Sequence, residues 1–232
     1  LWIDDDILKN YKHKHALNVF VPSSPMVVLG SSNDASLEVD LESCKALGVP
    51  VTRRYGGGGT VVLYDGCVVV SFGTWVKEPY QNNFYFKLVN QAMIDSLKDR
   101  WSSFAGLSQN GISDIVFGQQ KVAGTSLFRS RHYLLYQASL LVRLDKALIG
   151  SVLNHPTKEP EYRKGRSHES FLTCLSYIEP LLQSCEEVVT QLKESFLKTY
   201  EKAAAGHMIE PVETEMRSLE ERLERSEHLP SI

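Results

Sequence analysis

Arg53-Arg54-Tyr55-Gly56-Gly57-Gly58-Gly59-Thr60-Val61-Val62 is the stretch on which the reading of this chain turns. Four consecutive glycines give up much conformational entropy on folding, so the loop needs a local benefit. Bare backbone N–H groups can line up against an anion or an acyl chain. The two arginines ahead of them add charge and bidentate donors for phosphate. Without a ligand, the same residues would be a flexible hairpin loop leading into a strand. No Gly-Lys-Ser/Thr follows, so this is not a Walker A loop. A β-branched run rather than a helix comes next, which excludes a dinucleotide-binding fingerprint.

Outward from this loop, short apolar runs at Leu17–Val21 and Met26–Leu29 flank Pro22-Ser23-Ser24-Pro25 and predict strand, turn, strand. Leu37, Leu41, Cys44 and Leu47 recur near helical spacing, with Gly48 and Pro50 as stops. Thr60–Leu63 and Cys67–Phe72 predict a hairpin about Tyr64-Asp65-Gly66. A helix is expected over Tyr80–Trp101, on a stripe of Phe84, Leu88, Ala92, Ile94 and Leu97. Ser113–Phe117 and Lys121–Phe128 predict a second hairpin through Gly118. Tyr133–Leu144 is β-like, and Ile178–Tyr200 returns to helical spacing. From Ile209 onward charge dominates, with Glu221 and Arg225 one turn apart and Glu220 and Glu224 repelling at the same spacing. Strands and helices mix without βαβ alternation, so the expected class is α+β, with mixed or antiparallel sheets flanked by helices.

Composition bounds the function. The 232 residues carry 25 basic and 28 acidic side chains, a net charge of −3, and 43% are hydrophobic. Wholesale disorder and a nucleic-acid-coating polycation are both disfavoured. The longest apolar stretch, Cys67–Phe72, is far short of a membrane span, so no membrane partner is expected. Cysteines 44, 67, 174 and 185 form no C-x-x-C pair, and the seven histidines show no ligand spacing. A protein-bound metal is not expected, and a reducing cytoplasm is the simplest compartment. The chain opens Leu-Trp-Ile-Asp-Asp-Asp without Met, which predicts a short preceding leader. The basic segment Lys158–His168 reads as a solvated loop or a steering patch for an acidic partner.

A second segment, Ser113-Asp114-Ile115 through Lys121-Val122-Ala123-Gly124, places a lysine beside small residues that leave room for a ligand. Plain strand alternation puts Lys121 with Ala123 on one face and Val122 with Gly124 on the other. A third, Gln137-Ala138-Ser139-Leu140-Leu141, is on its own a core strand.

In this order and separation the three segments resemble the lipoate–protein ligase A family, within the biotin/lipoate protein ligase superfamily. The family's patterns are Arg-Arg-x-Ser-Gly-Gly-Gly-Ala-Val, Asn-Asp-Ile … Lys-Val-x-Gly and His-Gly-Ser/Thr-Leu-Leu. Gly56 replaces Ser, Ser113 replaces Asn, and Gln137-Ala138 replaces His-Gly; Leu63, Tyr64 and Cys67 stand where His, Asp and Asn are common. Arg54, the remaining glycines, Asp114 and Lys121 match.

The resemblance implies a fold of the biotin/lipoate protein ligase catalytic-domain type and ATP-dependent activation of lipoate. The lipoyl group then passes to a lysine of a lipoyl carrier domain. Lys121 would be catalytic, hydrogen-bonding the acyl carbonyl and a phosphate oxygen. Arg54 and Gly56, Gly57, Gly58, Gly59, Thr60, Val61 and Val62 would hold ATP phosphates and the acyl tail. Ser113, Asp114, Gly124 and Ser139 complete the expected site. ATP with Mg2+ is the implied co-substrate. The expected domains are a catalytic 1–205 and a charged helical 206–232, too short for the family's accessory domain, so a separate accessory subunit stays open. One rival is a transferase working through a cysteine thioester, for which Cys174 is the candidate. Another is a non-catalytic lipoyl-binding homologue.

Overall fold

The computed structural model describes residues 5–8 and 10–226, excluding the side chains of residues 5, 6 and 224–226. After a short helix α1 (Asp5–Leu8), β1 (His15–Phe20) and β2 (Met26–Leu29) bracket the Pro-Ser-Ser-Pro turn. They do not pair with one another. β1 joins an antiparallel six-stranded sheet, whereas β2 is the centre of a three-stranded sheet.

The stretch expected to form one helix is two: α2 (Ala35–Glu38) and α3 (Leu41–Leu47). Each has its own aspartate cap, Asp34 accepting from Ser36 N and Asp40 from Ser43 N. The break at Val39 turns the stripe outward, leaving Leu37 and Leu47 more than half exposed while Val39 and Cys44 are buried.

β3 (Val51–Arg53) runs parallel to β2, and β4 (Val61–Leu63) antiparallel on its other side. The glycine loop therefore bridges the two edges of the small sheet. β5 (Cys67–Trp75) corrects the expected hairpin with β4, since it pairs with β1 and β9 (Tyr133–Leu141) instead. The corner between them is pinned by the Tyr64 hydroxyl, which donates to Arg143 O at 2.7 Å and accepts from Asp145 N at 3.1 Å. With partners on both edges and cover on both faces, β5 is buried at every position.

The second half supplies α4 (Asn82–Lys98), a 3-10 turn at Ser102–Gly106, β6 (Leu107–Asn110), β7 (Asp114–Phe117) and β8 (Gln120–Ser130). The large sheet runs β1-β5-β9-β8-β7-β6. The β7–β8 hairpin turns through Gly118 at φ 59°, as the sequence predicts. Next come α5 (Lys146–Val152), a 3-10 turn at Glu161–Arg163, α6 (His168–Phe171), α7 (Leu175–Ile178), α8 (Cys185–Ala203) and α9 (Glu213–Ser226). The helix expected over Ile178–Tyr200 is thus α7 plus α8, the latter begun by a Ser184/Glu187 capping box. The Glu221–Arg225 and Glu220–Glu224 pairs involve side chains outside the described residues.

One face of the large sheet packs on α4 and α8 around Phe72, Val89, Met93, Tyr136, Leu192 and Phe196. On the other face Val28, Leu63 and Val69 join the two sheets. Trp75, Phe128 and Tyr133 gather Leu219 of α9, which is fully buried. Among the described residues no helix is long and apolar enough to cross a membrane. None of their side chains form a group of three or more His, Cys, Asp or Glu placed to hold a metal ion.

Candidate active site

The functional segments converge in the gap between the two sheets. Val116 of β7 pairs with Lys121 and Ile115 with Ala123, so β8 carries one extra residue at Val122. This β-bulge overturns simple alternation. Val122 and Ala123 both face the helix-backed core, while Lys121 and Gly124 both open toward the small sheet. A Cβ on Gly124 would lie 3.1 Å from Lys121 Nζ, so the glycine leaves the space that the lysine occupies.

Lys121 Nζ meets Asp114 Oδ1 at 2.8 Å. The other carboxylate oxygen, Oδ2, accepts from the Tyr162 hydroxyl at 2.8 Å. Burial first, then the adjacent Asp114 carboxylate, raise the Tyr162 hydroxyl well above its ordinary range, so it remains a donor. Upstream, Ser113 O accepts from Asn90 Nδ2 at 2.9 Å and from Thr125 Oγ1 at 2.6 Å. Asn90 is wholly buried on α4 and also receives the Tyr136 hydroxyl at 2.6 Å, so the residue before Asp114 is anchored in the core.

Two clefts meet at this point. A slender one of 130 Å³ runs between the sheets past Val28, Val61, Leu63, Val69 and Ser139 to Ser126 and Gln137. A wider one of 690 Å³ is walled by Asn110–Asp114 and by residues 153–171. That volume is within the range usual for small-molecule sites, about 300–1,000 Å³. Gly59, Thr60, Ser113, Asp114 and Lys121 border both. The Lys158–His168 segment expected as a solvated loop is a cleft wall. Arg163 in it is 4% exposed, stacks 4.8 Å over the Phe171 ring, and has an Nη2 with no hydrogen-bond partner among the described residues.

The arginines of the first motif bind the backbone of the loop itself and of the segment after β2. Arg53 Nη1 donates to Gly30 O at 2.8 Å and Asn33 O at 2.7 Å. Arg54 is buried and its Nη2 donates to Gly57 O and Gly59 O at 2.7 and 2.8 Å. Both therefore stiffen the loop from within, and Arg54 also borders the slender cleft. Gly58, at φ 95°, turns the loop. Gly58, Gly59, Thr60 and Val61 reach the slender cleft, but Gly56, Gly57 and Val62 do not. Gly56 packs on Ser126 and Leu127, and Val62 points into the core behind the small sheet.

Several contributors had no recognisable signal in the sequence. A Cβ on Gly30 would lie 2.1 Å from Gly58 O, so this lone glycine after Met26–Leu29 admits the loop. Glu38, 7% exposed, accepts from Asn33 Nδ2 at 2.7 Å, from the Thr60 hydroxyl, and from Thr157 Oγ1 at 3.3 Å. It ties α2 to both sides of the wide cleft.

All four cysteines are free and buried, and among the described residues none borders either cleft. Burial pushes the Cys67 thiol up to about 12 and the Cys185 thiol to about 11, well away from thiolate reactivity at neutral pH. Cys174 sits at the start of α7 with its Sγ 3.5 Å from Ser176 Oγ.

A family model described as the lipoyl protein ligase A/B catalytic domain matches residues 1–197. The chain belongs to the lipoyl protein ligase A/B catalytic-domain family. It is 23% identical over 200 residues to lipoate–protein ligase 1 of Staphylococcus aureus, covering 86% of this chain and 58% of that protein. It is 25% identical over 249 residues to the octanoyltransferase LipM of Carboxydothermus hydrogenoformans, covering 96% of this chain and 87% of that one. A solved bipartite lipoate protein ligase from Thermoplasma acidophilum, studied with its E2 lipoyl domain, superposes with a TM-score of 0.68. That match has 20% identity and covers 95% of this chain and 84% of the other. It establishes the shared α+β fold. The chain spans about half the length of several curated family members it matches. Family membership thus covers both ligases and acyltransferases.

Proposed function

We propose that this protein is an ATP-dependent lipoate–protein ligase. The observation that carries the reading is Lys121 Nζ, held by Asp114 where a slender cleft between the sheets meets a wider one, with no cysteine among the described residues bordering either. In this reading lipoate lies in the slender cleft with its carboxylate at the junction, and ATP, accompanied by Mg2+, occupies the wider cleft.

A carboxylate oxygen attacks the α-phosphorus, the bond to pyrophosphate breaks, and lipoyl-AMP forms. The Lys121 ammonium offsets the repulsion between the two anions and carries no proton away. Fixing both reactants at one junction supplies the proximity that the step needs. A lysine amine of a lipoyl carrier domain then attacks the acyl carbon, AMP leaves, and an amide results. Gly59, whose carbonyl Arg54 holds, borders both clefts and would offer its backbone N–H to the phosphates, while Gly58 lines the acyl side. Ser113, Thr60, Val61, Gly124 and Ser139 complete the walls. Residues 1–205 form the catalytic unit, against which the helix α9 (Glu213–Ser226) packs, and the protein works in the cytoplasm.

The similarity to LipM motivates a second reading, a transferase passing octanoate through a cysteine thioester. The buried cysteines argue against it. Pyrophosphate release from ATP with lipoate, with and without a lipoyl domain, decides between them. Lipoate-dependent release supports the ligase; acyl transfer from an octanoyl carrier protein without ATP overturns it.

A further inference from the structure

We infer that Tyr162 is a positioning residue for Lys121, acting through Asp114 to fix the ammonium at the meeting point of the two clefts. The inference rests on the ligase reading for its catalytic consequence, though not for its geometry.

The chain Tyr162 Oη to Asp114 Oδ2 to Asp114 Oδ1 to Lys121 Nζ has two links of 2.8 Å each. A carboxylate has two oxygens, and a donor on one fixes the plane in which the other can accept. Asp114 begins β7 and Lys121 is near the start of β8, so the hairpin alone places their backbones. It does not choose the carboxylate rotamer. Nor does the wall around Lys121, because Gly124, against which the lysine packs, offers no polar side chain to anchor the ammonium. The third point is Tyr162, which comes from a different element across the wide cleft.

Tyr162 is itself well fixed. Its ring packs on Phe171 with centroids 5.3 Å apart and lies against Gly111. Arg166 Nη2 donates to Tyr162 O at 2.8 Å and to Gln119 O at 2.9 Å, joining the segment to the β7–β8 turn. The wall of the wide cleft and the orientation of Lys121 are therefore one mechanical unit. An occupant that shifts this wall also shifts the ammonium.

The test uses the whole chain carrying Tyr162→Phe, Asp114→Asn, or both. Phenylalanine keeps the ring contacts on Phe171 and Gly111 and removes only the hydroxyl. Two readouts are taken. The first is the rate of Lys121 acetylation by a trace of acetic anhydride, followed by mass spectrometry, which requires no activity. The expected result is a severalfold rise in Tyr162→Phe. On the Asp114→Asn background the same change has no further effect, because the link it acts through is already cut. The second is pyrophosphate release. Here kcat is expected to fall by between about tenfold and about a hundredfold with KM for the acid little changed, since a misplaced group costs rate rather than binding. Unchanged labelling, or losses that multiply in the double variant, would overturn the inference while leaving the ligase reading intact. The expected labelling pattern in a protein with no pyrophosphate release would do the reverse.

Discussion

Gly30→Ala gives the sharpest test of how the glycine loop is built. Gly30 closes β2, and its added Cβ would lie 2.1 Å from Gly58 O and 3.2 Å from Asn33 Oδ1. A carbon–oxygen contact settles near roughly 3.4 Å, so the loop must retreat by about 1.3 Å. It cannot do so freely. Arg54 Nη2 holds Gly57 O and Gly59 O, and Ser31 N donates to Gly56 O at 2.9 Å. Overpacking of this kind costs about 1–3 kcal/mol. For a chain of this size each kcal/mol lowers the Tm by about 2–4 °C. Gly58, Gly59 and Thr60 form the cleft wall, so a shift of about 1 Å there should slow adenylate formation by about a hundredfold. Gly57→Ala is the control, since its Cβ would meet nothing within 4 Å and its φ is not positive. Its stability should change by no more than about 0.5 kcal/mol. Thermal denaturation and pyrophosphate release on both variants give the comparison. A Gly30→Ala protein with the parent's Tm and turnover would refute the idea that close backbone approach fixes the loop.

Three further outcomes are expected. Lys121→Ala should lose adenylate formation by about 3–4 kcal/mol of transition-state stabilisation while keeping its fold, because Asp114 retains Tyr162 and both charges face partly solvated clefts; parent-like turnover in the purified variant would remove Lys121 from the mechanism. Cys174→Ala should keep ATP-dependent lipoylation within about twofold, packing changes apart, and a complete loss with an intact fold would favour the thioester route. Burial holds His15 below its ordinary 6.5, with Glu201 opposing, so the unfolded chain takes up a proton more readily. Its contribution is fully present above 6.5 and is lost as pH falls from there through the lowered folded value. Urea denaturation between pH 7 and pH 5 should show that decline flattened in His15→Gln, and an unchanged slope would place the proton uptake elsewhere.

Much of the fold was legible where burial is a local property. The α4 stripe, the β7–β8 hairpin through Gly118 and the apolar stripe of α8 follow from periodicity and turn chemistry within one segment, though the break before Ser184 was not read from it. The α4 reading overran both ends, since the helix spans Asn82–Lys98 rather than Tyr80–Trp101, and Phe84 near its start is 38% exposed. The failures share a different cause. Leu37, Leu41 and Leu47 have helical spacing, yet two aspartate caps break the helix and turn those side chains outward. β4 and β5 are adjacent in sequence and each found a better partner elsewhere, which no local pattern reports.

By itself the sequence determined the three ordered segments, the family they indicate, and the placement of Arg54 beside a glycine loop and of Asp114 and Lys121 on one hairpin. Those are covalent facts about residue type and spacing, and spacing across one tight hairpin leaves little freedom. Only the tertiary structure decided which way the groups point. The bulge at Val122 put Lys121 and Gly124 on the same face, and sheet pairing turned Val62 away from the cleft. Packing brought Gly30 onto Gly58 and Tyr162 onto Asp114, 28 and 48 residues apart in the chain. Contacts at that separation are selected by the competition among all strands and loops for partners. A single segment's periodicity records its own burial and not the identity of what buries it.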